Sequence, residues 1–446
     1  MIRLLVILTP FGLLLFTQLY AAELITGPMV GHTTPTSAKI WVETDVPSDV
    51  QITYWVAPNN QAVYKNMVSG KTTKDAPHTA VVTLNNLSPQ AQIHYEVRLN
   101  KRLIRPLSPQ IFFTLPPEPQ DDKVANFMVA FGSCMNPSNV PYQPIWNKAV
   151  QFRPAAFLYI GDINYLPSPE LEFGEDPNLI RETMAIYHRD TRHLQGIRTL
   201  MATTPSYGIW DDHDYGPNDS DKTFKWRNES LDIYNRYWAN PSAGLPNTKG
   251  IFYKFKIADA EFFMLDNRYH RESIKDENRT TMFGQAQMDW LKESLEKSTA
   301  TFKVIVQGGS SVVDGQGQLW SHWGTERDDF LTWMFGQKIS GVFFLAGDWH
   351  VGTLNRLHQP QDAYPLYELL SSNTGVRKEP IATDPTSGSG GHNQSAAIMY
   401  RGYNFGAISF AGKKGERTVS LQIIDENGHV QIHRRLSEKD LSPKSE

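Results

Sequence analysis

Runs of four or five residues that are apolar almost without interruption constrain this chain most: Phe127-Met128-Val129-Ala130-Phe131, Ala156-Phe157-Leu158-Tyr159-Ile160, Phe262-Phe263-Met264-Leu265, Lys303-Val304-Ile305-Val306 and Val342-Phe343-Phe344-Leu345-Ala346. A strand without a polar side tolerates water on neither face, so such runs belong in sheets covered on both sides. Helical patterns lie between them. Residues 285–297 place Met288, Leu291 and Leu295 on one face, with Trp290 and charged residues around them. Strands alternating with helices predict an α/β unit of layered sheets from 124 to 440.

A different rhythm precedes it. Ala38-Lys39-Ile40-Trp41-Val42-Glu43, Val50-Gln51-Ile52-Thr53-Tyr54-Trp55, Thr79-Ala80-Val81-Val82-Thr83-Leu84 and Ile93-His94-Tyr95-Glu96-Val97-Arg98-Leu99 alternate with period two and are separated by turn residues. That pattern predicts a small antiparallel β-sandwich over 23–114. Trp41 and the Leu84-x-x-Leu87-x-Pro89 stretch resemble a fibronectin type III module, although Ile93 stands where that module often has a corner tyrosine. The proline-rich 115–123 segment reads as a linker, since proline neither continues a helix nor donates to a sheet. Residues 441–446 read as a polar, disordered tail. A chain of 446 residues exceeds the roughly 250–300 at which one core stops growing, which agrees with two domains.

Arg3, the apolar stretch over 4–16 and the Ala21-Ala22 pair read as a signal peptide over 1–22, so a periplasmic or secreted protein is expected, with no stable membrane span after cleavage. Arg3 has no arginine neighbour, which points to export unfolded rather than through a twin-arginine route, and no lipobox cysteine is present. A formal charge of -4 with both signs mixed gives no reason to expect nucleic acid or an anionic membrane as a partner. Cys134 is the single cysteine, so it forms no intramolecular disulfide; it is a small buried core residue or a thiolate held by a metal.

The polar clusters follow the predicted strands. Phe131 leads into Gly132-Ser133-Cys134, Ile160 into Gly161-Asp162-Ile163-Asn164-Tyr165, Trp210 into Asp211-Asp212-His213-Asp214, and Ala346 into Gly347-Asp348-Trp349-His350. Ligands gather beyond the carboxyl ends of such strands. Carboxylates, imidazole and thiolate on separate loops suit two or more cations, which share bridging carboxylates and activate water for in-line attack. Neither a Gly-x-Ser-x-Gly elbow nor a P-loop competes.

Taken in order, Gly-Ser-Cys, Gly-Asp-x-x-Tyr, Trp-Asp-Asp-His-Asp with a following Asn-Asp, Leu-Asp-x-Arg and Gly-Asp-x-His resemble the alkaline phosphatase D (PhoD-like) family. The likeness extends to Tyr187-His188-Arg189-Asp190, Leu194-Gln195-Gly196-Ile197-Arg198 and Phe283-Gly284-Gln285. It implies an α/β metallophosphoesterase-type sandwich, two sheets flanked by helices, behind the small β-sandwich. It implies Fe(3+) held by Cys134, Asp162 and Tyr165, with Asp162 bridging to Ca(2+). Asp348 and His350 would complete the cluster, Asp212 and Asn218 would be further ligands, and Asp211 a ligand or its support. Thiolate and phenolate suit a ferric ion, whereas calcium takes hard oxygen donors. His213 would then protonate the leaving alkoxide or steady the charge that develops on the phosphoryl oxygens. Arg268 and Arg271 would hold the substrate phosphate or form structural ion pairs.

The resemblance implies hydrolysis of a small phosphate monoester, with a phosphodiesterase or phospholipase D-like activity as the alternative on the same fold and a non-catalytic surface-binding protein as a more distant one. A purple acid phosphatase would want Asp-x-Gly where Gly-Ser-Cys stands, Asn-His for Asp212-His213, and Gly-His-x-His for the last motif.

Overall fold

The computed structural model describes residues 21–56, 65–119, 123–166, 175–309, 319–357, 363–376 and 398–443. The expected leader, apart from Ala21 and Ala22, lies outside the described residues, as do 120–122 of the expected linker and 444–446 of the expected tail. Among the described residues no helix is long and apolar enough to cross a membrane.

The apolar runs form the strands they predict. Phe127–Gly132, Ala156–Ile160 and Ser206–Ile209 pair in parallel in a six-stranded sheet, which three antiparallel strands complete: Asn404–Ala411, Thr418–Asp425 and Val430–Ser437. Ala260–Met264, Phe302–Val306, Val342–Ala346 and Leu366–Ser371 run parallel at the heart of a seven-stranded sheet. Side chains of both sheets and of the helices around them share one buried core. Helix Gln285–Lys297 turns Met288, Leu291 and Leu295 into that core, the stripe its periodicity predicts.

The N-terminal part is a pair of antiparallel sheets. One contains Leu24–Thr33, Ala38–Thr44 and His78–Leu84, and the other is built around Asp49–Val56 and Gln92–Leu99. Val30, Ile40 and Val42 of the first share a core with Val50, Ile52, Ile93 and Val97 of the second. Trp41 points the other way. It is buried in the core of the larger unit, its Nε1 donates to the Arg236 carbonyl at 2.7 Å, and its ring lies 5.6 Å from that of Tyr237. Beside it Glu43, fully buried, accepts from Arg189 Nε at 2.8 Å, Tyr237 Oη at 3.0 Å and Thr26 Oγ1 at 2.9 Å.

Two expectations change. Leu115, the first residue of the expected linker, is buried in the larger core, although no regular element forms at 115–119. Leu441 does not begin a disordered tail: it is fully buried, and its carbonyl accepts from Gly341 N at 2.7 Å. One leucine in a polar stretch carries no period, so the sequence offers no sign of this anchor.

Candidate metal centre and active site

The parallel strands of both sheets deliver their carboxyl ends to one place. The Ser133-Cys134 turn sits against the Gly161-Asp162 turn, with Cys134 N donating to the Gly161 carbonyl at 3.3 Å and Met135 N to the Asp162 carbonyl at 2.8 Å. Gly161 makes the approach possible, because its φ of +95° is open to glycine and a Cβ there would lie 2.6 Å from that of Asp211. Two groups of ligand atoms result, each lying within 4.8 Å of one another: Asp162, Asp212 and His213, and Asp162, Asp211 and Asp348. Asp162 belongs to both.

The backbone around them is strained. Cys134, Asp162, Asp348 and His350 all adopt left-handed conformations, with φ of 60°, 54°, 76° and 57°. Each costs about 1–2 kcal/mol for a residue with a Cβ.

Electrostatics shows what the cluster lacks. Burial and the charges of Asp212 and Asp211 push the Asp162 carboxyl well above the usual carboxylate range. Burial, then Asp211 and Asp212, raise Asp348 to about 7, against the pull of Arg268 and Arg271. The Cys134 thiol is pushed up by burial and by Asp162 and Asp348; its Sγ lies 3.6 Å from Asp162 Oδ2. The Tyr165 hydroxyl is raised by burial and by Cys134 and Asp162. Its oxygen is buried, and Cys134 is the neighbour close enough to act on it. Asp211 Oδ2 is buried without a partner. Crowded acids and orphaned oxygen atoms are unfavourable without a counter-charge. The donor set therefore fits cations: hard carboxylates on one side, thiol and phenol on the other.

Arg268 supplies part of the counter-charge. Its Nε bonds Asp211 Oδ1, its Nη2 lies 3.6 Å from Asp212 Oδ2, and its side chain is 2% exposed. Its ion-pair partner is Asp211 and not Asp266, two residues before it in the chain. Asp266 instead accepts from Trp210 Nε1 at 2.7 Å and from the Arg268 and Tyr269 amides. Burial acts to raise the Asp212 pKa, but Arg268, His213 and the Asp219 amide, 2.8 Å away, hold it down to about 2. Arg271 is buried over the Trp323 ring at 4.2 Å. Burial and then the like charge of Arg268 lower it to about 9.

His213 is half-buried, with its ring stacked on Tyr165 at 4.3 Å and its amide 3.3 Å from Asp162 Oδ1. His350 belongs to neither group of close ligand atoms. Asn218 is not brought to the cluster: it is exposed and its amide donates to Asp219 Oδ2 at 2.8 Å.

Sequence reasoning missed Asn267 and the support beneath the loops. Asn267 is fully buried, donates from Nδ2 to Asp211 Oδ1 at 2.8 Å, and leaves Oδ1 without a partner. It is the variable position of the Leu-Asp-x-Arg run, where only its amide hinted at a role. Asp214, raised to about 7 by burial, accepts the Ile163, Asn164 and Asp211 amides at 3.0, 2.9 and 3.1 Å and so ties two ligand-bearing loops together. Asn164 Nδ2 reaches His188 Nδ1 at 2.9 Å, and burial, then Arg192, lower the His188 pKa well below normal, so this ring is neutral and accepts.

Known proteins share this fold. A solved structure of PhoD superimposes with a TM-score of 0.69 at 17% identity, covering 92% of this chain and 91% of that one. A purple acid phosphatase from yellow lupin (Lupinus luteus) seeds does so with a TM-score of 0.66 at 11% identity, covering 96% and 77%. The fold is thus a metallophosphoesterase-type sandwich behind an antiparallel β-sandwich. Alkaline phosphatase D of Bacillus subtilis (strain 168) is 23% identical over 363 residues, 72% of this chain but 60% of that relative. Residues 21–116 match a family described as a domain of unknown function. With residues 128–421 matching the model of the PhoD-like phosphatase, the chain belongs to the PhoD-like phosphatase family.

Proposed function

We propose that this protein is a metal-dependent phosphoester hydrolase acting on small phosphate monoesters. The observation that carries the reading is the pair of ligand groups that meet at Asp162. Cys134, Asp162 and Tyr165 would hold Fe(3+); Asp162, Asp211, Asp212 and Asp348 would hold Ca(2+). Bound cations would acidify a water and neutralise the substrate phosphate. Asp214 and Asn267 keep the carboxylates in place, and Arg268 balances Asp211 and Asp212. Arg271, buried with its guanidinium over the Trp323 ring and within the field of Asp211, Asp212 and Asp348, is the arginine we assign to the substrate phosphate. The His213 imidazole, fixed by stacking on Tyr165 beside Asp162, gives its proton to the leaving alkoxide. His350 would complete the cluster beside Asp348, whereas the exposed Asn218 would reach a cation only through a change in its loop. The leader at 1–22 would make the protein periplasmic or secreted.

The test is turnover of a chromogenic phosphate monoester, with a diester in parallel. His213→Ala should lower kcat by about 100–10,000-fold and leave the metal content unchanged; lost metal would make His213 a ligand instead. A purified protein replete with metal that hydrolyses neither ester would overturn the reading. Phenolate and thiolate on ferric iron should also give visible absorption that Tyr165→Phe alters, and an active, iron-free, colourless protein would remove both assignments.

A further inference from the structure

Away from the acidic cluster, a cleft of about 350 Å³ opens between the sandwich and the larger unit. Its walls are the strand Leu24–Thr33, the 104–110 segment, the end of helix Pro177–His193 and the start of helix Gln195–Thr203. The lining carries Arg102, Arg105, Arg192 and Arg198 against one carboxylate, that of the exposed Glu23. Among the described residues none of these arginines forms an ion pair.

Its buried donors are the telling feature. Arg192 is 2% exposed and held rigidly, with Nη1 on the His188 carbonyl at 3.0 Å and Nη2 on the Tyr237 carbonyl at 2.8 Å, yet its Nε has no partner. Gln110 is 9% exposed and its Nε2 has none either, and the same holds for the buried Nε of Arg198. Buried N–H groups are almost always satisfied, so three orphans around one cationic cleft ask for an acceptor. Burial holds the Arg192 pKa below its usual value, a deficit that a bound anion would reverse. Ile104 and Leu107 add an apolar wall, and the volume suits a small ligand.

We propose that this cleft binds a small oxyanion of the phosphate class, its oxygens accepting from Arg192, Arg198 and Gln110, independently of the site at Asp162. Free phosphate and the headgroup of a small organic phosphate share this chemistry. Phenylphosphonate separates them, since it adds an apolar body and its P–C bond resists ester hydrolysis. Equilibrium dialysis of the metal-loaded protein should find two equivalents of oxyanion per chain. Arg198→Ala should weaken one equivalent at least tenfold and leave the other, with turnover unchanged. Arg105→Ala, at an exposed position, gives the same readout should Arg198→Ala fail to fold. Two equivalents of phenylphosphonate with one of phosphate identify an organic phosphate as the ligand, and the reverse identifies the free ion. A single equivalent of both probes in the parent protein, or two equivalents that survive both substitutions, overturns the site.

Discussion

Asp162→Asn should lower kcat/KM for a phosphate monoester by three to four orders of magnitude while making the metal-free protein more stable. Both effects have one cause. Among the described residues Asp162 is shared by both groups of close ligand atoms, so its charge would be needed wherever cations bind there. Losing a bridging ligand removes about 4–6 kcal/mol of transition-state stabilisation. Without cations, that same charge is buried among Asp211, Asp212, Asp214 and Asp348, which repel it. The amide keeps the shape and the acceptor for His213 N while removing the repulsion. Thermal melts in chelator should therefore shift upwards as activity disappears, a trade between stability and function. Turnover within tenfold of the parent protein would sink the bridging role.

Arg268→Met should instead cost stability, by about 3–5 kcal/mol in the metal-free protein. The guanidinium lies between Asp211 and Asp212 at 2% exposure, and removing it strands two carboxylates beside two more. Chemical denaturation in chelator measures the loss, and metal should recover part of it, because cations supply the missing charge to the native state alone. An unchanged denaturation midpoint with a raised KM would return Arg268 to the substrate phosphate and remove it from the scaffold.

Much of this architecture is legible in the sequence because buried parallel strands leave no choice of face. Phe127–Gly132, Ala156–Ile160 and Val342–Ala346 appear where continuous apolar runs predict them, and the helix Gln285–Lys297 where its stripe does. Thr418–Asp425 is harder to see: its buried Val419, Leu421 and Ile423 alternate with half-buried polar residues, and although its partners Asn404–Ala411 and Val430–Ser437 are near in sequence, the sheet they extend starts from the distant Phe127–Gly132. At the site, position in a motif gives the loop but not the aim of the side chain. Asp211 and Asp212 are neighbours, yet one meets Asp348 and the other His213. Asn218 and Asn267 are both amides next to an aspartate, and only the backbone decides that the first turns to solvent while the second is buried on Asp211. Trp41 shows the same limit, since period two puts it with Lys39 and Glu43 on the face opposite Ile40 and Val42 without saying that a second core lies there.

The left-handed backbone at Cys134, Asp162, Asp348 and His350 bears on which sequences this site tolerates. Glycine is the residue such positions favour, so random drift under selection for folding alone would lead there, gaining stability at each step. That route is closed only while the thiol, the carboxylates and the imidazole do something glycine cannot. A homologue with glycine at one of these positions would mark a lineage in which that ligand had fallen out of use, and its apoprotein would be the sturdier for it.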